Sequence, residues 1–104
     1  KAGISENDFV LIVHGAVEYD YKALKKAIEA KAKYIGLLGS RTKISKFLER
    51  LDKEGVQKSA YVGRLYAPVG LDIGAKTPEE IAVSIVAEIL KIQYDASGKH
   101  LSIV

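Results

Sequence analysis

This sequence predicts an α/β fold built on a parallel sheet, about half of a doubly wound (Rossmann-like) domain. Two observations lead there. FVLIV (9 to 13) and YIGLL (34 to 38) are short unbroken apolar runs, and each precedes a segment whose apolar residues recur at helical spacing. Strand, helix, strand, helix in that order calls for parallel strands joined by right-handed crossovers. Two or three strands make a thin sheet, so an upstream half or another chain is expected to complete it.

FVLIV follows Asn7 and Asp8, ends in His14-Gly15, and has the length of a strand buried on both faces. Leu24, Ala27 and Ile28, with lysines opposite, predict a helix from Asp20 to about Ala30 with Asp20 as its N-cap. After the second strand, Gly39-Ser40 turns the chain into a helix whose stripe is Ile44, Phe47, Leu48 and Leu51 and whose C′ stop is Gly55. Tyr61 to Ala67 reads as irregular. Both prolines then fall in APVGLDIGAKTPEEIA (67 to 82), where Gly70 and Gly74 permit positive φ and Pro68 fixes its own. Thr77, Pro78 and Glu80 mark a capping box that starts a helix running to about Gln93. Apolar residues cover most of that helix's circumference, which predicts a central, buried position. Ser97-Gly98 turns the chain, and His100 to Val104 is the candidate final strand.

The composition removes several functions. With 104 residues the chain is a single domain, and with 0 Cys it has no disulfide framework, thiolate metal site or cysteine nucleophile. Zero cysteine is compatible with a cytoplasmic protein. The formal charge of +3 is mild and lysines alternate with acids, so no nucleic-acid footprint is indicated. No apolar run approaches the length of a membrane span, and no signal-peptide pattern opens the chain. The absence of Met at position 1 leads us to expect a piece of a longer reading frame or a processed product. Lys-, Glu- and Ile-rich usage resembles that of thermophiles. No repeat, linker or low-complexity segment interrupts the domain.

Three places are candidate sites. Gly39, Ser40, Arg41 and Thr42 lie at the carboxyl end of a strand and open a helix, where backbone N–H groups and a guanidinium would hold a phosphate. Ser40 as a plain helix cap and Arg41 as a solvated surface residue fit the same residues equally. The pattern is neither a Walker loop nor a GxGxxG turn. His14 ends the first strand, at the same edge of the sheet as Arg41, and suits a general base or a ligand contact as well as a hydrogen-bonded strand end; Asp20 could pair with it, although its N-cap role fits better. Asp72, between Gly70 and Gly74, either orients a ligand amine or the Arg41 guanidinium or closes an Asx-turn on its own loop. His100 is assigned no role, no metal site is indicated, and no Ser-His-Asp arrangement follows from spacing.

YIGLLGSRTK (34 to 43) followed by RLYAPVGLDIGAKTPEEIAVSIVAEIL (64 to 90) resembles the C-terminal Rossmann-type domain of the XdhC/CoxI family, accessory factors of xanthine dehydrogenase and carbon monoxide dehydrogenase. The similarity runs from about Phe9 to Leu90. It implies an accessory protein, rather than a catalyst, that binds molybdenum cofactor as cargo and helps to sulfurate and insert it. The implied partners are a molybdenum hydroxylase apo-enzyme, a cysteine desulfurase and a second copy of the chain. Carried over onto this chain, the cofactor-binding residues are His14, Gly39, Ser40, Arg41, Gly70, Asp72 and Gly74. Two departures stand out: Gly15 replaces the acidic residue that often follows the His, and the family's upstream domain and glycine-rich first βα turn are not in this sequence. Two other readings stay open, a nucleotide- or NAD(P)-binding oxidoreductase domain and a sheet-completing interaction domain.

Overall fold

The computed structural model describes residues 3–104, so the expected domain extends over two residues, 1 and 2, outside the described ones. Its elements are β1 (Phe9–Ile12), α1 (Val17–Glu29), β2 (Tyr34–Leu37), α2 (Arg41–Lys53), a 3-10 turn (Lys58–Ala60), β3 (Leu65–Tyr66) and α3 (Pro78–Gln93). The chain divides into two compact units that meet in sequence between Val69 and Gly70.

The first unit holds the sheet, whose order is β1-β2-β3 with both pairings parallel, as expected. Parallel pairing requires a crossover between strands, and α1 and α2 supply the two needed. The pleat sends alternate residues to opposite faces. Val10, Ile12, Ile35, Leu37, Leu65 and Ala67 pack with Tyr21, Leu24, Ala27, Ile28, Ile44, Phe47 and Leu51 of the two helices. Leu24, Ile35, Leu37 and Leu51 are completely buried, and each such side chain contributes about 1.5–3 kcal/mol. On the other face, Phe9, Tyr34 and Tyr66 form a ring ladder across all three strands, with centroids 5.4 and 5.2 Å apart. Gly36 lies beside this ladder for a steric reason: a Cβ there would sit 2.6 Å from Val69 Cγ2 and 2.7 Å from the Tyr34 hydroxyl.

Several expectations are corrected in this region and beyond it. β1 is an edge strand that stops at Ile12, so Leu11 and Val13 are 42% and 47% exposed rather than buried on both sides. α1 begins at Val17, with Ala16 rather than Asp20 as its N-cap. The segment 61 to 67 contains β3, which is short but continues the ladder through Ile35 N–H to Arg64 O (2.8 Å) and Val69 N–H to Leu37 O (3.0 Å). Residues 100–104 form no strand. Arg64 is tied to the carbonyls of Ala32 and Ala60, which fixes how the chain enters β3.

Gly55 ends α2 as expected, at φ 85°, with Gly55 N–H on Asp52 O and Val56 N–H on Leu51 O. These paired bonds are a Schellman motif. Lys31 (φ 58°) and Asp95 (φ 51°) occupy the corresponding left-handed position after α1 and α3.

A charge network joins α1 to α2. Glu54 accepts hydrogen bonds from Lys25 Nζ (2.8 Å), the Tyr21 hydroxyl (2.9 Å) and Arg50 Nε (3.3 Å), while Arg50 also grips Glu18 and lies 3.9 Å from the Tyr21 ring centroid. The Lys25 ammonium, then the Tyr21 hydroxyl and the Arg50 guanidinium, hold the Glu54 carboxyl down at about 2. Burial and the Glu54 carboxylate push the Tyr21 hydroxyl up to about 12. A carboxyl with a depressed folded-state pKa stabilises the fold fully above its ordinary value of 4.5, and that contribution is lost as pH falls towards about 2. The expected result is a melting temperature that drops across that window, with a flatter acid limb in Glu54→Gln and a smaller difference between the two in high salt. Thermal melts at stepped pH check it; an unchanged slope in the variant would remove Glu54 from the acid response.

The second unit is the glycine loop and α3. The Thr77 hydroxyl accepts from Glu80 N–H, and the Glu80 carboxylate takes the N–H groups of Lys76 and Thr77, so the predicted capping box is present. α3 is not buried all round, however. Ser84, Ile85 and Glu88 are buried, whereas Val83, Val86 and Leu90 are 60%, 55% and 47% exposed. An apolar circumference states what a helix is able to bury, and the packing partners decide which part is covered.

Candidate functional site

Because β1 and β2 are parallel, their carboxyl ends lie at one edge of the sheet, and the chain leaves each in a short turn. In open α/β sheets that edge is where ligands bind. The turn after β1 carries His14 and Gly15. His14 is exposed, and its ring packs on Tyr19 of α1 with centroids 4.4 Å apart. Gly15 has φ 95°, which a side chain would strain, and the position of its missing Cβ is open.

The turn after β2 leads into α2. Ser40 caps that helix by accepting Lys43 N–H at 3.1 Å. Arg41 and Thr42 occupy the first two helical positions, whose N–H groups have no intrahelical partner. The first turn of α2 contains no acid and two cations, Arg41 and Lys43. Cations at this end oppose the helix dipole, so each calls for a compensating negative charge. Lys43 has one: its Nζ lies 2.7 Å from Asp20 Oδ2. Arg41 is exposed and, among the described residues, its guanidinium makes no hydrogen bond or ion pair.

Asp20 is therefore not a helix cap. It is completely buried in the first turn of α1, and its Oδ2 accepts both Lys43 Nζ and the N–H of Gly15 (2.9 Å). Its Oδ1 is buried and, among the described residues, has no hydrogen-bond partner. Lys43 Nζ also reaches Leu38 O at 3.4 Å. Gly39 is glycine for a reason that sequence reading did not supply: a Cβ there would lie 2.9 Å from Lys43 Cδ and block the path of that side chain.

The second unit carries the other three candidates. Gly70 has φ 108°, its N–H donates to Glu88 Oε1 (3.1 Å), and a Cβ would sit 2.5 Å from Ser84 Oγ. Leu71 N–H follows with a bond to Ser84 O at 3.2 Å. Gly74 has φ 75° and open space around it. Asp72 is exposed and makes no hydrogen bond among the described residues, so it closes no Asx-turn. The Ala67–Pro68 peptide at the head of this loop is cis.

A groove of about 630 Å³ runs along α1, lined by Tyr19, Tyr21, Lys25, Arg50 and Glu54 among others, and contains none of the seven candidates. Among the described residues no group of three or more His, Asp or Glu side chains is placed to hold a metal. Among the described residues no helix is long and apolar enough to cross a membrane.

The XdhC Rossmann domain matches residues 2–89 of this sequence. The chain belongs to that family. An uncharacterized Escherichia coli (strain K12) protein, YqeB, is 45% identical over 95 residues, 91% of this chain and 17% of that protein. A probable xanthine dehydrogenase subunit of Bacillus subtilis (strain 168) is 35% identical over 85 residues, 82% of this chain and 23% of its own length. A crystal structure of a xanthine dehydrogenase from Bacillus halodurans superposes with a TM-score of 0.73 at 36% identity, over 91% of this chain and 26% of that one. The XdhC domain described here thus spans about a fifth of the curated relatives it matches.

Sequence reasoning on this XdhC domain missed Lys43 as the partner of Asp20 at the carboxyl edge, and Tyr19 as the partner of His14. One signal was available. A lysine three residues after the cap of α2 stands at the wrong end of a helix dipole, which asks for a buried carboxylate nearby.

Proposed function

We propose that this XdhC domain binds molybdenum cofactor as cargo at the carboxyl edge of β1 and β2, within an accessory factor that assists cofactor sulfuration and insertion into a molybdenum hydroxylase. The observation that supports this reading is the uncompensated charge at the start of α2. Of two cations in its first turn, Asp20 neutralises Lys43, and among the described residues none neutralises Arg41. A pterin phosphate supplies the missing anion, on Arg41 and the first N–H groups of the helix. Ser40 holds the turn, and exposed His14 offers a second polar contact from the end of β1. Gly70, Asp72 and Gly74 belong to the same proposal as loop residues of the second unit. The setting proposed is cytoplasmic, with the apo-hydroxylase and a cysteine desulfurase as partners.

The test is an anaerobic titration of the purified chain with molybdenum cofactor, with NAD, NADP and CTP in parallel. Saturable binding of the cofactor is the expected result, and binding of a nicotinamide nucleotide alone would favour the oxidoreductase reading. Arg41→Ala is expected to weaken cofactor binding by about 1–3 kcal/mol, the range of a charge-assisted hydrogen bond, with an unchanged thermal melt. Wild-type affinity in a folded Arg41→Ala protein would remove Arg41 from the site.

One observation favours a second reading. β1 is an edge strand with Leu11 and Val13 exposed, and parallel sheets normally bury both faces. On this reading the domain completes its sheet with another copy. Sedimentation at stepped concentration decides: a monomer at every concentration ends it.

A further inference from the structure

We propose that Asp20 and Lys43 are the positioning pair of the carboxyl edge, locking the turn after β1 to the turn after β2 so that ligand groups on both are held at a fixed separation. This rests on the reading above for its ligand, though not for its geometry. Each turn has one tie to the pair. Asp20 Oδ2 holds the Gly15 N–H on one side, and Lys43 Nζ holds Leu38 O on the other, with the 2.7 Å ion pair closing the span between them. The Lys43 stem crosses the backbone at Gly39, where a Cβ would intrude at 2.9 Å. His14 directly precedes Gly15 in the chain, and Arg41 lies midway between Gly39 and Lys43, two residues from each.

The energetics argue against a role in folding alone. Asp20 is completely buried with Oδ1 unpartnered, an arrangement that costs the fold more than a well-packed apolar pair would. Buried ion pairs contribute little net stability, and their best-attested use is to select one geometry among several. Here the geometry selected is that of two loops at the ligand edge of the sheet.

Asp20→Asn with Lys43→Met in one protein removes both charges at nearly constant volume, so the fold survives. Two readouts are taken on this double variant: molybdenum cofactor affinity and the backbone amide spectrum. The expected result is a melting temperature close to wild type, affinity lower by about tenfold, the loss of one charge-assisted hydrogen bond to the ligand, and amide shifts at both Gly15 and Gly39-Ser40. Gly39→Ala, which changes no charge, is expected to weaken binding in the same direction by displacing Lys43. Wild-type affinity in the folded double variant would overturn the proposal, and so would an unfolded double variant, because the pair would then be a folding element. Should wild type bind no cofactor, the functional reading fails and the amide spectrum decides the strap alone: shifts confined to one turn overturn it, and shifts at both support it.

Discussion

Lys43→Met is expected to lower unfolding free energy by about 3 kcal/mol, at the lower end of the cost of stripping a buried charge of its partner. The low end applies because the Lys43 side chain is 17% exposed while that of Asp20 is 0% exposed, so water reaches only one side of the pair. With Lys43 gone, Asp20 keeps a single hydrogen bond, from Gly15 N–H, and a second oxygen already without one. Adding Asp20→Asn is expected to recover most of the loss, since the orphaned charge is what destabilises. Urea unfolding of the single and double variants measures this. Equal stability of the two would show that the charge is not the cause.

Gly70→Val is expected to cost about 3 kcal/mol by two mechanisms. The φ of 108° lies where side chains are strained, on the order of 1–3 kcal/mol by itself. The new Cβ would also meet Ser84 Oγ at 2.5 Å, and that hydroxyl is held by a 2.8 Å bond to Ile81 O. Gly70→Ala, alone and with Ser84→Ala, separates the two. If backbone strain dominates, Ser84→Ala restores little; if collision dominates, it restores most. Stability unchanged in Gly70→Val would contradict the positive φ itself. Because Gly70 N–H anchors the loop to Glu88, loop amides should lose exchange protection along with stability.

The local signals were readable wherever one residue's own chemistry decides the outcome. Thr77, Pro78 and Glu80 start α3 where predicted, because a capping box closes within four residues. Ser40 caps α2 for the same reason. Gly55 ends α2 visibly, while Lys31 and Asp95 do the same job after the other helices without the glycine that would announce it. β3 was unreadable because it is only two residues long and exists through its pairing with β2. At the site, Ser40, Arg41 and His14 were legible as polar residues at strand ends. Asp20 was legible as a carboxylate near a helix start but not as a buried one.

From the sequence alone came the α/β class, the parallel order of strand and helix, the glycine loop with positive φ, and membership of a family, all of which depend on residues close together in the chain. Tertiary structure alone decided which apolar residues are covered: FVLIV is a strand by propensity and an edge by position, and α3 is apolar over most of its circumference yet exposed along Val83, Val86 and Leu90. It also decided that Asp20 and Lys43, twenty-three residues apart, share one buried ion pair. Burial and long-range pairing are properties of two surfaces meeting, and a periodicity describes only one of them.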